Sequence, residues 1–354
     1  MIKKRFISML VLLAAVVTGA WAQTTYKVSV KEGTEDATSW TITPAEATTT
    51  GVAAGTEVKA TYSGTKHVKS VKAVKKAPAV TTLDNTTTAW TAGTFAVPAG
   101  GLTYNAAITV SGDVTLVLTD GEMLTLNKGI SLAEGATLTI QGNGTMNVNG
   151  TNENTSSTVA GSTGTLILTS GTLTATGGNG GSVAESSAFG SQGGNGGDAI
   201  NGSVIVSGGT LNAKGGDGQS VFDADYFNGG SGGTAINGSV TVSGGTLTAT
   251  GGNGGNINLN DSYGSNNGGS GGTAITGSVT INSGTLVATG GDGGSLNCGM
   301  DCHSCNAGNG GDAIGGSVTE NGGTTTFANG SNGSASTGDD CSDLYAGSGG
   351  KSHN

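Results

Sequence analysis

The sequence predicts an all-β protein in which a small β domain precedes a parallel β-helix (β-solenoid) with Gly-rich loop excursions. Three observations predict this fold class. The 354 residues include 69 Gly and only 3 Pro, and aromatic residues are 4%, so large side chains cannot fill a conventional core. Short segments with alternating apolar and polar residues recur through the chain. From about residue 166 a unit of 36 to 39 residues repeats, which is typical of solenoids.

The first 22 residues have the pattern of a secretory signal peptide. A basic cluster at 3–5 precedes an apolar run over 6–17, and Ala20-Trp21-Ala22 fits the small-x-small cleavage pattern. The run is shorter than the roughly 20 residues that cross a bilayer. We therefore expect an exported protein, extracellular or associated with the cell surface, with no membrane span in the mature chain.

Residues 23–77 are predicted to form the small β domain. Residues 26–30 and 57–62 alternate between apolar and polar side chains, and Ser63-Gly64 supplies a turn before a Lys/Val-rich run. The segment GVAAGTEVKATYSGTKHVKSVKAVKK, which begins at Gly51, resembles the short β repeats of bacterial surface proteins, including the divergent InlB-type B repeat. That resemblance implies a spacer or display role for this domain.

Residues 78–350 are predicted to form the parallel β-helix, followed by a tail at 351–354. Ile200, Ile236, Ile275 and Ile314 recur at steps of 36, 39 and 39 residues. About 20 residues of each unit offer three short strands whose Ile, Val, Leu and Ala point inward and stack on neighbouring units. The other 15 to 19 residues form an excursion framed by glycines, as in 251–255 and 268–272. We expect these tracts to stack in register, with disordered glycine loops as the alternative.

The tips of the excursions differ from one another and hold most of the aromatic residues of the repeats. Exposed aromatic rings beside Asn and Asp are suited to sugars, because the ring offers an apolar face and the polar groups bind hydroxyls. The alternative is that the rings pack the loops together. The candidate ligand-binding residues are Phe189, Phe222, Asp223, Asp225, Tyr226, Phe227, Asp261 and Tyr263.

The four cysteines lie near the end of the chain, at Cys298, Cys302, Cys305 and Cys341. Their spacing, with His303 nearby, resembles a metal cluster. An exported protein favours disulfides instead, and Cys341 belongs to the excursion that follows the other three. We therefore predict two disulfides, at least one of which joins neighbouring excursions, with the connectivity left open.

Other functions have weaker support. Gly193–Ile200 fits the calcium-binding RTX pattern, but the segments recur too far apart to share an ion, so calcium is a minor alternative. Outward threonines, as in Thr246-Leu247-Thr248-Ala249-Thr250, also permit an ice-binding-like solenoid. No catalytic cluster is evident, and we predict a protein that is not an enzyme. Beyond Ala77 there are only three basic residues against 19 acidic ones, which excludes nucleic acid as a partner.

The repeats GSVTVSGGTLTATGGNGG and GGSGGTAINGSV resemble the secreted Gly-rich β-helical proteins of Bacteroidota that are labelled carbohydrate-binding domain-containing proteins. The segment ITVSGDVTLVLTDGEMLTLNKGISLAEGATLTIQGNGTMNV and the signal segment are similar to theirs. The resemblance implies a polysaccharide or a surface glycan as the partner. A purely structural or adhesive surface solenoid without a small ligand is the alternative.

Overall fold

The computed structural model describes most of the region that follows residue 79 and short segments before it. The described residues are 26–29, 31–32, 35–36, 40–43, 59–62, 72–75, 80–150, 159–160, 164–181, 192–222, 228–258, 265–298, 304–337, 344–348 and 350. They contain strands and no helix. Among them, no helix is long and apolar enough to cross a membrane. The predicted signal peptide lies outside the described residues.

The chain divides into two compact units, Met1–Val80 and Thr81–Asn354. In the first unit the described strands pair in antiparallel fashion. Tyr26–Ser29 pairs with Lys72–Lys75, and Trp40–Thr43 pairs with Lys59–Tyr62. The third antiparallel pair is formed by Lys31–Glu32 and Glu35–Asp36.

The second unit is built from parallel strands that stack one repeat upon the next. Most belong to one 15-stranded sheet, whose strands form two columns joined by two long strands, and a third column is a 6-stranded sheet. The first column contains Val80–Thr82, Gly93–Ala96, Asp113–Leu118, Thr137–Gly142, Thr165–Leu168, Ser203–Val206 and Val318–Glu320. The second contains Leu102–Tyr104, Met123–Leu126, Thr145–Asn149, Thr172–Thr176, Thr210–Lys214 and Thr324–Ala328. The long strands are Val240–Thr250 and Val279–Thr289. The third column contains Ala89–Trp90, Ile108–Val110, Ile130–Leu132, Val159–Ala160, Ile200–Asn201 and Ile236–Asn237.

The register of this stack follows the sequence repeat. Ile200 pairs with Ile236, and single bridges continue the column through Ile275 to Ile314. The all-β class and the parallel stacking of the repeats are thereby confirmed, and they are consistent with a β-helix. One detail differs: two of the three short strands predicted for each repeat, those at 239–242 and 246–250, form one strand here, which bends at Gly245. Its φ of 68° lies in the left-handed region that glycine favours.

The core of the second unit lies between the columns and is almost wholly aliphatic in the repeats. Successive repeats place Leu173, Leu211, Leu247 and Leu286 in one register, and all four are buried. The threonines beside them are half-buried and point away from the core, as predicted. Because each repeat presents only a thin apolar face, the core becomes continuous only when the repeats stack.

The start of the second unit is closed by aromatic residues instead. Trp90 lies 6.1 Å from Phe95 in a stacked arrangement and 6.2 Å from Tyr104 edge to face, measured between ring centroids. The indole N–H of Trp90 donates to the carbonyl of Thr87 at 3.2 Å, and the hydroxyl of Tyr104 donates to the carbonyl of Asp84. These bonds connect the buried rings to the turn at 84–87, which lies at the surface. We call Trp90, Phe95 and Tyr104 the aromatic cap.

The turn above the aromatic cap carries a carboxylate that is held in its charged form. Oδ1 of Asp84 accepts hydrogen bonds from the backbone N–H and the hydroxyl of both Thr86 and Thr87, at 2.7 to 3.0 Å. These bonds, led by the Thr86 hydroxyl, lower the pKa of Asp84 from 3.8 to about 2. A pKa that is lower in the folded state stabilises the fold above pH 4, and this contribution is lost as the pH falls towards 2.

Asp84→Asn therefore tests this turn through its pH dependence. We expect the wild type to melt at a higher temperature than the variant above pH 4, and the difference to shrink as the pH falls from 4 through 2. Thermal melting followed by circular dichroism between pH 1.5 and 6 measures both proteins, and the other carboxylates cancel in the comparison. A difference that stays constant across this range would contradict the assignment.

Candidate binding surface on the stacked excursions

The excursions leave and rejoin the stack through glycine tracts with a three-residue period. In the outgoing tract at 251–256 the order is Gly-Gly-Asn, and in the returning tract at 268–273 it begins Gly-Gly-Ser. The glycines lie mostly buried and the third residues Asn253, Asn256 and Ser270 are exposed. A three-residue period whose hydrogen bonds run to neighbouring tracts is consistent with polyproline II helices. The hydrogen bonds between equivalent tracts confirm the predicted in-register stacking.

Each glycine of a Gly-Gly pair has its own hydrogen-bonding direction. The first glycine bonds to the equivalent tract of the next repeat, as Gly254 N–H does to Asp292 O at 2.8 Å. The second bonds to the opposite layer, as Gly272 N–H does to Gly252 O at 2.8 Å. Outgoing and returning tracts thus form two layers, linked both along the stack and across it.

The backbone N–H of the third residue of the outgoing triplet donates a hydrogen bond to a side-chain oxygen of the preceding repeat. The N–H of Asn253 donates to Oδ1 of Asp217 at 2.9 Å, and the N–H of Asp292 donates to Oδ1 of Asn253 at 3.0 Å. The ladder continues from Asn179 below to Ser331 above. Asn and Asp recur here because a backbone N–H that faces neither layer needs an acceptor. The described glycine tracts are therefore bonded to the repeat above, to the repeat below and to the opposite layer.

Beyond the glycine tracts, the excursions form two small parallel sheets of their own. The outgoing sheet contains Val221–Phe222, Ile257–Asn258, Leu296–Cys298 and Ala335–Thr337. The returning sheet contains Ser265–Asn267, Ser304–Asn306 and Leu344–Tyr345. A cluster of buried residues lies between them and is separate from the main core; its members are Ile257, Leu296, Cys298 and Cys305.

The two sheets are covalently joined in the excursion at 290–313. Cys298 of the outgoing sheet and Cys305 of the returning sheet form a disulfide. A disulfide is thereby confirmed, but it lies within one excursion and not between neighbouring ones. Cys302 and Cys341 lie outside the described residues, so the predicted bond between neighbouring excursions stays a prediction.

The outer face of the outgoing sheet carries a row of side chains that we call the outgoing row. It contains Phe222, Asn258, Asn297 and Ser336, which follow one another in register. The Phe222 side chain is 63% exposed. Nδ2 of Asn297 donates to Oδ1 of Asn258 at 3.0 Å, and the Ser336 hydroxyl donates to Oδ1 of Asn297 at 3.1 Å. The row thus presents an apolar ring followed by oriented amide groups at the strand spacing of about 4.8 Å.

Of the candidate ligand-binding residues, the structure describes Phe222 and places it in the outgoing row. Phe189, Asp223, Asp225, Tyr226, Phe227, Asp261 and Tyr263 lie outside the described residues. Two residues went unrecognised in the sequence: Asn297, which aligns with Phe222 through Asn258, and Tyr345 of the returning sheet, which is 55% exposed. Both are identified when the whole excursions, and not only their tips, are aligned repeat by repeat.

The aspartate of the RTX-like segment has a structural role in the stack. Oδ1 of Asp198 accepts from the N–H of Thr234 at 2.8 Å, and its Oδ2 accepts from Nδ2 of Asn237 at 3.4 Å. Within the described part of the chain, no group of three or more His, Cys, Asp or Glu side chains is placed to hold a metal ion. The carboxylate at this position bonds successive repeats to one another.

Comparison of the chain with protein-family models, with curated proteins and with solved structures finds no match. The resemblance to the Bacteroidota carbohydrate-binding domain-containing proteins therefore stays a prediction. The features of the molecule that bear on its function are the outgoing row, the excursions and the charge of the chain.

Proposed function

We propose that this chain is a secreted or cell-surface parallel β-helix that binds carbohydrate on the outer face of its excursions. The observation that carries the proposal is the outgoing row, in which the exposed ring of Phe222 is aligned with the amides of Asn258 and Asn297. A sugar ring stacks its C–H face on an aromatic side chain, while its hydroxyls bond to amide groups. The predicted tip residues Asp223, Asp225, Tyr226 and Phe227 follow Phe222 in the sequence and lie outside the described residues.

Hydrogen bonding within the row supports its use as a binding surface. Because Nδ2 of Asn297 donates one hydrogen to Asn258, the amide plane is fixed while its second N–H remains available to a ligand. The glycine layers beneath the sheet hold the row in place before any ligand arrives. A preorganised surface of this kind loses less conformational entropy on binding than flexible loops do.

A purely structural or adhesive β-helix is the second candidate. The observation that favours it is the hydrogen-bonded glycine stack, in which the N–H groups of Gly254, Asn253 and Gly272 all have partners in neighbouring tracts. Such a body is suited to act as a rigid spacer. This candidate predicts a folded protein without affinity for any glycan.

A glycan array distinguishes the two candidates. The mature chain should bind polysaccharide, and binding should fall by about tenfold or more in Phe222→Ala, as for an aromatic binding hot spot. The triple variant Phe222→Ala, Tyr226→Ala, Phe227→Ala should lose binding. Arrays with and without calcium ions determine whether the ion contributes.

Met123→Ala is the matched control, because Met123 is also an exposed apolar side chain, 52% exposed, but lies in the second column away from the excursions. It should bind as the wild type does. If no glycan is retained by the wild type, or if the triple variant keeps the wild-type signals, the carbohydrate proposal is wrong and the structural candidate remains.

A further inference from the structure

The returning sheet carries a second polar row, which we call the returning row. Gln192, Asn228, Asn267, Asn306 and Tyr345 follow one another in register. Nδ2 of Asn267 donates to Oδ1 of Asn228 at 2.7 Å, and Nδ2 of Asn306 donates to Oδ1 of Asn267 at 2.8 Å. The row ends at the exposed ring of Tyr345. It therefore repeats the composition of the outgoing row, with the aromatic residue at the opposite end of the stack.

The two rows lie on opposite faces of the excursions. Ile257 and Leu296 of the outgoing sheet face Cys305 of the returning sheet in the buried cluster, and the disulfide crosses this interior. Successive side chains of a strand point to opposite sides. Asn258, which follows Ile257, and Asn306, which follows Cys305, therefore point away from the interior in opposite directions.

The returning row itself carries no Asp, Glu, Lys or Arg where the structure describes it. The third residues of the returning triplets add Asn195, Ser270, Asn309 and Ser348, which are exposed, while Asp198 and Asp312 of the same tracts are half-buried. The outgoing tracts carry Asp217 and Asp292, and the whole chain has a net charge of −10. Repulsion by the surrounding negative charge disfavours an anionic polymer. The amide and phenol groups of the returning row match a neutral, hydroxyl-rich polymer.

We propose that the returning row is a second carbohydrate-binding surface and that the protein bridges two chains of neutral polysaccharide, one on each face. This inference rests on the proposed function of the outgoing row. A single extended polysaccharide segment cannot contact both faces at once, because the body of the excursions separates them. Occupation of both rows by different chains therefore produces cross-linking.

A sandwich assay tests the bridging directly. Beads are coupled to starch, galactomannan, arabinoxylan or laminarin, and the same polysaccharide with a fluorescent label is kept in solution. On the polysaccharide that it binds, the wild type should retain labelled polymer on the beads. Tyr345→Ala should still bind the beads, but the amount of labelled polymer retained on them should fall by about tenfold or more, as for loss of an aromatic hot spot. Tyr345→Phe should restore bridging, and anionic polygalacturonate should be neither bound nor bridged.

The outcomes separate this inference from the proposed function. If the wild type binds none of the neutral polysaccharides, both fail. If it binds the beads but retains no label, or if Tyr345→Ala bridges as well as the wild type, the returning-row inference is overturned while the outgoing row stands. Strong binding of polygalacturonate would overturn the assignment to neutral polymers. Unchanged melting temperatures of the variants confirm that folding is not the cause of any loss.

Discussion

Gly271→Ala should lower the free energy of unfolding by at least about 3 kcal/mol. A Cβ atom at this position overlaps the carbonyl oxygen of Gly291, and a backbone group cannot move aside as a flexible side chain does. The layers must separate, which breaks the bonds from Gly272 N–H to Gly252 O and from Gly291 N–H to Gly272 O, both at 2.8 Å. Each such bond contributes about 1 kcal/mol, and forcing a methyl group into a packed interior costs about 1–3 kcal/mol more.

The neighbouring residue offers a matched control. Ser270 is the exposed third residue of the same triplet, so Ser270→Ala should change the free energy of unfolding by less than about 0.5 kcal/mol. Urea unfolding followed by circular dichroism compares the two variants, and limited proteolysis reports whether the excursion opens before the strands do. Equal stability of the two variants would contradict the layered arrangement of the glycines.

The strand-forming part of each repeat could be predicted from the sequence, because it obeys two simple rules. Leu247 and Ala249 alternate with threonines, which fixes the inward face, and the repeat spacing fixes which residues pair in register. The glycine layers could not be predicted in the same way. A Gly-Gly-x triplet has no apolar pattern, and its structure depends on partners that lie one whole repeat away. The clue was the recurrence of Asn or Asp as the third residue, since Asn253 bonds the N–H of Asp292.

The candidate site likewise contains residues that could be predicted from the sequence and residues that could not. Phe222 was predicted from residue type alone, because an exposed aromatic side chain among polar neighbours indicates binding. The alignment of Asn258 with Phe222, and the inclusion of Asn297, came only through the pairing of the outgoing sheet, which a single excursion cannot form. Cys298 and Cys305 were predicted to form disulfides, but their mutual pairing required knowing that the two strands of one excursion pack together.

Trp90→Ala should open the start of the stack, with a loss of about 3–5 kcal/mol, the range for truncation of a buried large aromatic side chain. Trp90 is fully buried and contacts both other members of the aromatic cap, Phe95 and Tyr104. Among the described residues of the second unit's core, only Leu83 precedes Trp90 in the chain, so the rings cover the apolar surface that a further repeat covers elsewhere. Terminal repeats of stacked proteins need such a cover, because neighbours bury one another's apolar faces.

The loss should be local at first, because each repeat contacts only its neighbours and the far repeats keep their own interfaces. Hydrogen exchange measured by mass spectrometry should show lost protection in peptides over 83–104, while peptides over 240–250 remain protected. Phe222→Ala removes an aromatic side chain that is exposed and should leave both regions unchanged. Equal loss of protection over both regions would mean that the stack unfolds as a single unit. Unchanged protection over 83–104 would mean that the aromatic cap is not needed to keep the first strands of the second unit folded.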